Sequence, residues 1–115
     1  MGRVKWVLTA KGEDIADRGS PEWNLLQLVP HQHPGISLEN LQLRLGDDFA
    51  EGFDRAMCNG WIIVIPIDGA FRTPRLRLTD DRIRSLCVMI SKGQKLDIDD
   101  ERLLRRRKLI TMDLV

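Results

Sequence analysis

The stretch that decides the fold is Ser37-Leu38-Glu39-Asn40-Leu41-Gln42-Leu43-Arg44-Leu45-Gly46-Asp47-Asp48-Phe49-Ala50-Glu51-Gly52-Phe53-Asp54-Arg55-Ala56-Met57-Cys58-Asn59-Gly60-Trp61-Ile62-Ile63-Val64-Ile65. Ser37 is suited to cap a helix in which Leu38, Leu41 and Leu45 recur at i, i+3 and i+7. Gly46-Asp47 breaks that helix. Asp48 opens another, with Glu51 three residues on in capping-box spacing and Phe49, Phe53, Ala56 and Met57 turned inward. Asn59-Gly60 closes it, because both residues tolerate the left-handed conformation. Trp61 to Ile67 reads as a strand apolar on both faces, Asp68-Gly69 as a turn, and Phe71 to Leu78 as a returning strand. Leu76 and Leu78 fall on one face of that strand, Arg75 and Arg77 on the other. Helix, break, helix, strand, turn, strand is the pattern of a winged helix. The predicted fold class is α+β: mostly helical winged-helix modules with small antiparallel β-hairpins.

Downstream, Thr79 is placed to cap a helix whose Ile83, Leu86, Cys87 and Ile90 share one face. A last helix is expected from about Asp99 to Lys108, and a final strand from Leu109 to Val115. Upstream, Val4 to Leu8 reads as a strand, Thr9 as the cap of a helix through Arg18, and Ser20-Pro21-Glu22 as the start of a helix carrying Leu25, Leu26 and Val29. Trp6-Val7-Leu8-Thr9 and Leu76-Arg77-Leu78-Thr79 echo each other at a distance of one module, a weak sign of repetition. The expected division is a winged-helix module over 30–91 and a second, discontinuous winged-helix-like module formed by 1–29 with 92–115. Neither terminal segment is long enough to bury a core alone, and the two terminal strands are expected to lie side by side.

The chain has 115 residues and a mass of 13.2 kDa, with 43% apolar and 30% charged residues. That composition fits one or two small globular cores and excludes a large catalytic domain. No apolar run is long enough for a membrane span and no secretory leader is visible, so the expectation is a cytoplasmic protein without a membrane partner. Two cysteines, Cys58 and Cys87, agree with a reducing compartment. The formal net charge is +1, but residues 1–60 carry six basic and nine acidic groups, and residues 61–115 carry twelve and eight. Thirteen of the 18 cations are arginines, whose planar fork suits phosphate. Two runs lack acids: Arg72, Arg75 and Arg77, and Arg102, Arg105, Arg106, Arg107 and Lys108. Either is a solvated face or a phosphate-contacting patch.

No phosphate-binding glycine loop, nucleophile elbow or His-Glu-x-x-His motif is present. His31-Gln32-His33 with Cys58 and Cys87 matches no zinc spacing, so no metal site is expected. Asp97, Asp99, Asp100 and Glu101 sit where a helix start favours acids. The helix that would read a DNA groove, Asp48 to Cys58, carries Asp48, Glu51 and Asp54 against Arg55 alone. A polyanion disfavours that helix, and a DNA-binding regulator ranks below nucleic-acid backbone contact or a protein-interaction module.

Four segments together resemble one family. They are Trp6-Val7-Leu8-Thr9-Ala10-Lys11-Gly12-Glu13-Asp14-Ile15-Ala16, then Arg18-Gly19-Ser20-Pro21-Glu22, then Gly52-Phe53-Asp54-Arg55-Ala56-Met57-Cys58-Asn59-Gly60-Trp61-Ile62, and finally Glu101-Arg102-Leu103-Leu104-Arg105-Arg106-Arg107-Lys108-Leu109. In this order the chain resembles the N-terminal region of the alpha subunit of the cytosolic, eukaryotic-type phenylalanine–tRNA ligase. The resemblance implies winged-helix modules that bind tRNA ahead of a catalytic core outside this segment. It further implies a class II, ATP- and Mg²⁺-dependent parent enzyme, with a beta subunit as partner in an α₂β₂ tetramer and tRNA-Phe as the nucleic acid. The segment itself would carry neither catalytic residues nor a cofactor. Candidate tRNA contacts are Arg72, Arg75 and Arg77, inferred from charge, and Arg105, Arg106, Arg107 and Lys108, to which the resemblance extends. Gly60 departs from the family pattern, where a cation often follows the Asn, and the His31–Gly35 loop is no family signature.

Overall fold

The computed structural model describes residues 4–32, 34–74 and 76–114. The chain divides into two compact units, one made of residues 20–79 and the other of residues 1–19 with 80–115.

The unit over residues 20–79 is a winged helix. It contains helices α2 (Pro21–Leu28), α3 (Leu38–Leu45) and α4 (Phe49–Cys58), and strands β2 (Ile62–Ile65) and β3 (Gly69–Arg72). Ser20 and Ser37 cap α2 and α3 by accepting the amides of Trp23 and Asn40. Between α3 and α4 a single 3-10 turn, Gly46–Asp48, replaces a capped start, and the Asp48 side chain accepts no capping bond. The two strands pair antiparallel with Ile63 opposite Phe71 and Ile65 opposite Gly69. Ile36 adds a one-residue third strand by exchanging both backbone hydrogen bonds with Ala70, at 3.1 and 2.8 Å. The core is Leu25, Leu26, Val29, Leu41, Ala56, Ile62 and Ala70. Helix α4 crosses α2 at Gly52: a Cβ there would stand 2.6 Å from the Pro21 carbonyl oxygen. Only a residue without a side chain permits this approach.

The returning strand is shorter than its sequence suggests. It ends at Arg72 rather than Leu78. Thr73 still donates to the Trp61 carbonyl, but Pro74 has no amide to offer, and Leu76 N–H turns back to the Thr73 carbonyl. The connection between the strands is Pro66-Ile67-Asp68, with Ile67 at φ 76° and Gly69 at φ 97°. Strand β2 is also less enclosed than a strand apolar on both faces would be. Ile62 is buried, whereas Ile63 and Ile65 are 41% and 43% exposed and Ile67 is fully exposed.

The other unit holds strands β1 (Val4–Leu8) and β4 (Ile110–Leu114) with helices α1 (Ala10–Arg18), α5 (Arg82–Ser91) and α6 (Ile98–Arg106). The two strands pair antiparallel, with Trp6 opposite Met112 and Leu8 opposite Ile110. Its core is Ile15, Leu86, Cys87, Ile90, Leu96, Leu104, Leu109 and Ile110. Arg84 donates from Nε and Nη2 to the carbonyls of Ala16 and Asp17, satisfying the open C-terminal end of α1. Asp81, not Thr79, caps α5, accepting the amide of Arg84 at 3.3 Å, so the echo between Thr9 and Thr79 does not extend to capping.

These units differ from the expected division at 29/30 and 91/92. Leu25, Leu26 and Val29 of α2 supply the first helix of the winged helix. Leu86, Cys87 and Ile90 of α5 bury against Ile15, Leu104 and Leu109. A winged helix needs three helices to cover one face of its small sheet. The reading that began at Pro30 left the central module without its first helix.

Candidate nucleic-acid interface

Helix α6 begins at Ile98, capped by Asp97 through the Asp100 amide. It places Asp99, Asp100 and Glu101 in its first turn and Arg105 and Arg106 in its last, as the helix dipole favours. Successive residues rotate by about 100°, so Arg102, Arg105 and Arg106 share one face while Leu103, Leu104 and Arg107 fall on the other. Arg102, Arg105, Arg106 and Lys108 are exposed, and Leu104 is fully buried. Among the described residues no ion pair engages Arg102, Arg105, Arg106 or Lys108. Of the acids at the N-terminal end, Asp100 pairs with Arg82 at 2.8 Å, which raises the Arg82 pKa above its usual value. Lys108 ends the helix at φ 60°, and its carbonyl accepts from the Thr9 hydroxyl. Arg105 lies over the indole of Trp6, 5.1 Å from the ring centroid.

Arg107 does not belong to this surface. It is 6% exposed and sits near Cys87, whose thiol burial pushes up to about 11 while the Arg107 charge pulls the other way. Its place on the Leu103–Leu104 side of the helix explains the burial. Of the hairpin trio, Arg72 and Arg77 are described. Arg72 is half-buried and donates from Nε to the Val29 carbonyl at 2.9 Å. Arg77 is exposed, but on extended chain beyond the strand. Arg75 lies outside the described residues. The helix therefore brings together Arg105 and Arg106 of the expected set and adds Arg102, while Lys108 is exposed just past its end. Helical phase was the signal that could have exchanged Arg107 for Arg102.

Helix α4 presents no matching surface. Asp54 is exposed, Glu51 accepts from Arg55 Nε at 3.1 Å, and Asp47 and Asp48 precede the helix. The third helix of this winged helix is acidic where a major-groove reader would be basic. Among the described residues no group of three His, Cys, Asp or Glu side chains converges as for a metal ion. No helix of the described residues is long and apolar enough to cross a membrane.

Fold and surface together define a winged-helix module whose third helix is acidic, and a second unit that carries a basic helix end. Residues 20–69 match the family described as PheRS DNA binding domain 3, a match that starts at the capping Ser20 of the winged-helix unit. The chain is 35% identical over 112 residues to the phenylalanine–tRNA ligase alpha subunit of Rattus norvegicus, covering 92% of this chain and 21% of that protein. It is 35% identical over 111 residues to the alpha subunit of Homo sapiens, and 31% over 112 residues to that of Danio rerio. The resemblance read from the sequence is borne out, over a chain that spans about a fifth of the length of these relatives.

Proposed function

We propose that the chain is a tRNA-binding segment of a cytoplasmic phenylalanine–tRNA ligase alpha subunit. It engages the RNA backbone and positions the substrate for a catalytic core outside this chain, where ATP, Mg²⁺ and the beta subunit act. The observation that carries the reading is the exposed face of Arg102, Arg105 and Arg106, with exposed Lys108 just beyond it, all four free of carboxylate partners among the described residues. RNA helices are recognised largely by shape and by backbone contact, which needs cations on a surface rather than a base-reading series. The acidic α4 argues against the duplex-DNA reading.

The test is binding of the chain to purified tRNA-Phe and to an unrelated tRNA by fluorescence anisotropy over a range of salt. The reading expects both to bind with similar affinity that falls steeply with salt. Binding independent of salt, or no binding to either tRNA, would overturn it. A second reading, a protein-docking module, rests on the exposed Ile63, Ile65 and Ile67 of the wing. It expects association with a protein partner that salt barely changes and that Ile63→Ser with Ile65→Ser abolishes.

A further inference from the structure

Trp6 sits at the margin of its unit's core, half-buried, with its cross-strand neighbour Met112 58% exposed. Two hollows, of about 490 and 190 Å³, share Lys5, Trp6, Ile90 and Gly93 as walls. The first adds Lys92 and Glu13, the second Lys95 and Glu101. Lys5, Lys92 and Lys95 are exposed, so three cations rim an aromatic wall that Glu13 and Glu101 also line. Over the indole lies the Arg105 guanidinium, itself exposed. A guanidinium that lies parallel to an indole face keeps its other plane open to a second ring.

From this juxtaposition we infer that the Trp6–Arg105 cation–π pair and the lysines that rim the neighbouring hollows take one unpaired nucleotide of an RNA. The base lies on the outer plane of Arg105, and the adjoining phosphates lie towards Lys5, Lys92 and Lys95. Trp6 is the positioning residue and Arg105 the contact. The inference rests on the RNA-binding reading above and narrows it, since a paired base has both faces covered and cannot use such a platform. It also gives Arg105 a role beyond the phosphate contact that its charge shares with Arg102 and Arg106.

The experiment compares the whole chain with its Arg105→Lys variant, which keeps the charge and loses the plane. The probes are a labelled unstructured RNA oligonucleotide and an RNA duplex of equal length. Loss of stacking should weaken oligonucleotide binding by about tenfold, with the salt slope unchanged, and leave duplex binding within about twofold. Trp6→Leu, checked for folding by circular dichroism, should give the same selective loss. Equal binding of both RNAs by Arg105→Lys and the parent chain would overturn the platform and leave backbone recognition standing. Failure of the parent chain to bind either RNA would overturn both.

Discussion

The hydroxyl of Thr9 donates to the carbonyl oxygen of Lys108 at 2.8 Å and accepts the Gly12 amide at 3.2 Å, joining residues 99 positions apart. One side chain thus caps α1 and secures the left-handed end of α6. The adjoining Thr9 amide donates to the Leu109 carbonyl at 2.9 Å, extending the β1–β4 ladder. Replacing Thr9 by Val removes both hydroxyl bonds and should cost about 1–2 kcal/mol, measured by chemical denaturation. An unchanged midpoint would show that the two ends are secured elsewhere.

Gly52→Ala should destabilise, although Ala is ordinarily the better helix former by about 1 kcal/mol. The added Cβ would meet the Pro21 backbone, so α2 and α4 must separate, at about 1–3 kcal/mol. A rise in melting temperature would contradict the close crossing.

Ile67 holds a left-handed backbone at the tip of the wing, fully exposed, with φ 76°. A β-branched residue pays for that conformation and here buries nothing in return. Ile67→Asn should therefore raise stability by about 1 kcal/mol, read as a higher melting temperature with no loss of tRNA binding.

Cys87 is fully buried, and its thiol is pushed up to about 11 from an ordinary value near 9, by burial first. The folded state keeps this proton where the unfolded chain has lost it. Its contribution is complete below about pH 9 and is lost as pH rises towards 11. The expected consequence is a denaturation midpoint that falls in this window and falls less in Cys87→Ala. At neutral pH iodoacetamide should label Cys58, which is exposed, and reach Cys87 only on unfolding.

Much of this architecture was legible in the sequence, and its failures have physical causes. Ser20, Ser37 and Thr9 cap helices because an oxygen sits three residues ahead of an orphan amide, which spacing reveals. Asp81 took the cap of α5 from Thr79, and Pro74 ended β3, because local backbone geometry decided between neighbours that composition ranks alike. The module boundary was misplaced because Pro30 marks a helix end and says nothing of which core the Leu25–Val29 stripe enters. Of the basic residues, Arg107 and Arg72 were drawn inward by helical phase and by the Val29 carbonyl, which charge counting does not see.

The central claim is that the exposed face of α6 contacts RNA phosphates. The most direct measurement is the slope of log affinity for tRNA against log salt, in the parent chain and in the variant carrying Arg102→Gln, Arg105→Gln and Arg106→Gln, with Arg107→Gln as a separate variant checked for folding. Each phosphate contact contributes about 0.7–0.9 to the slope, so the triple variant should flatten it by up to about 2–3, alike on different tRNAs. Arg107→Gln should lower stability and leave the slope of the folded fraction unchanged. A triple variant with the parent slope would contradict the account and reduce these arginines to partners of the helix dipole.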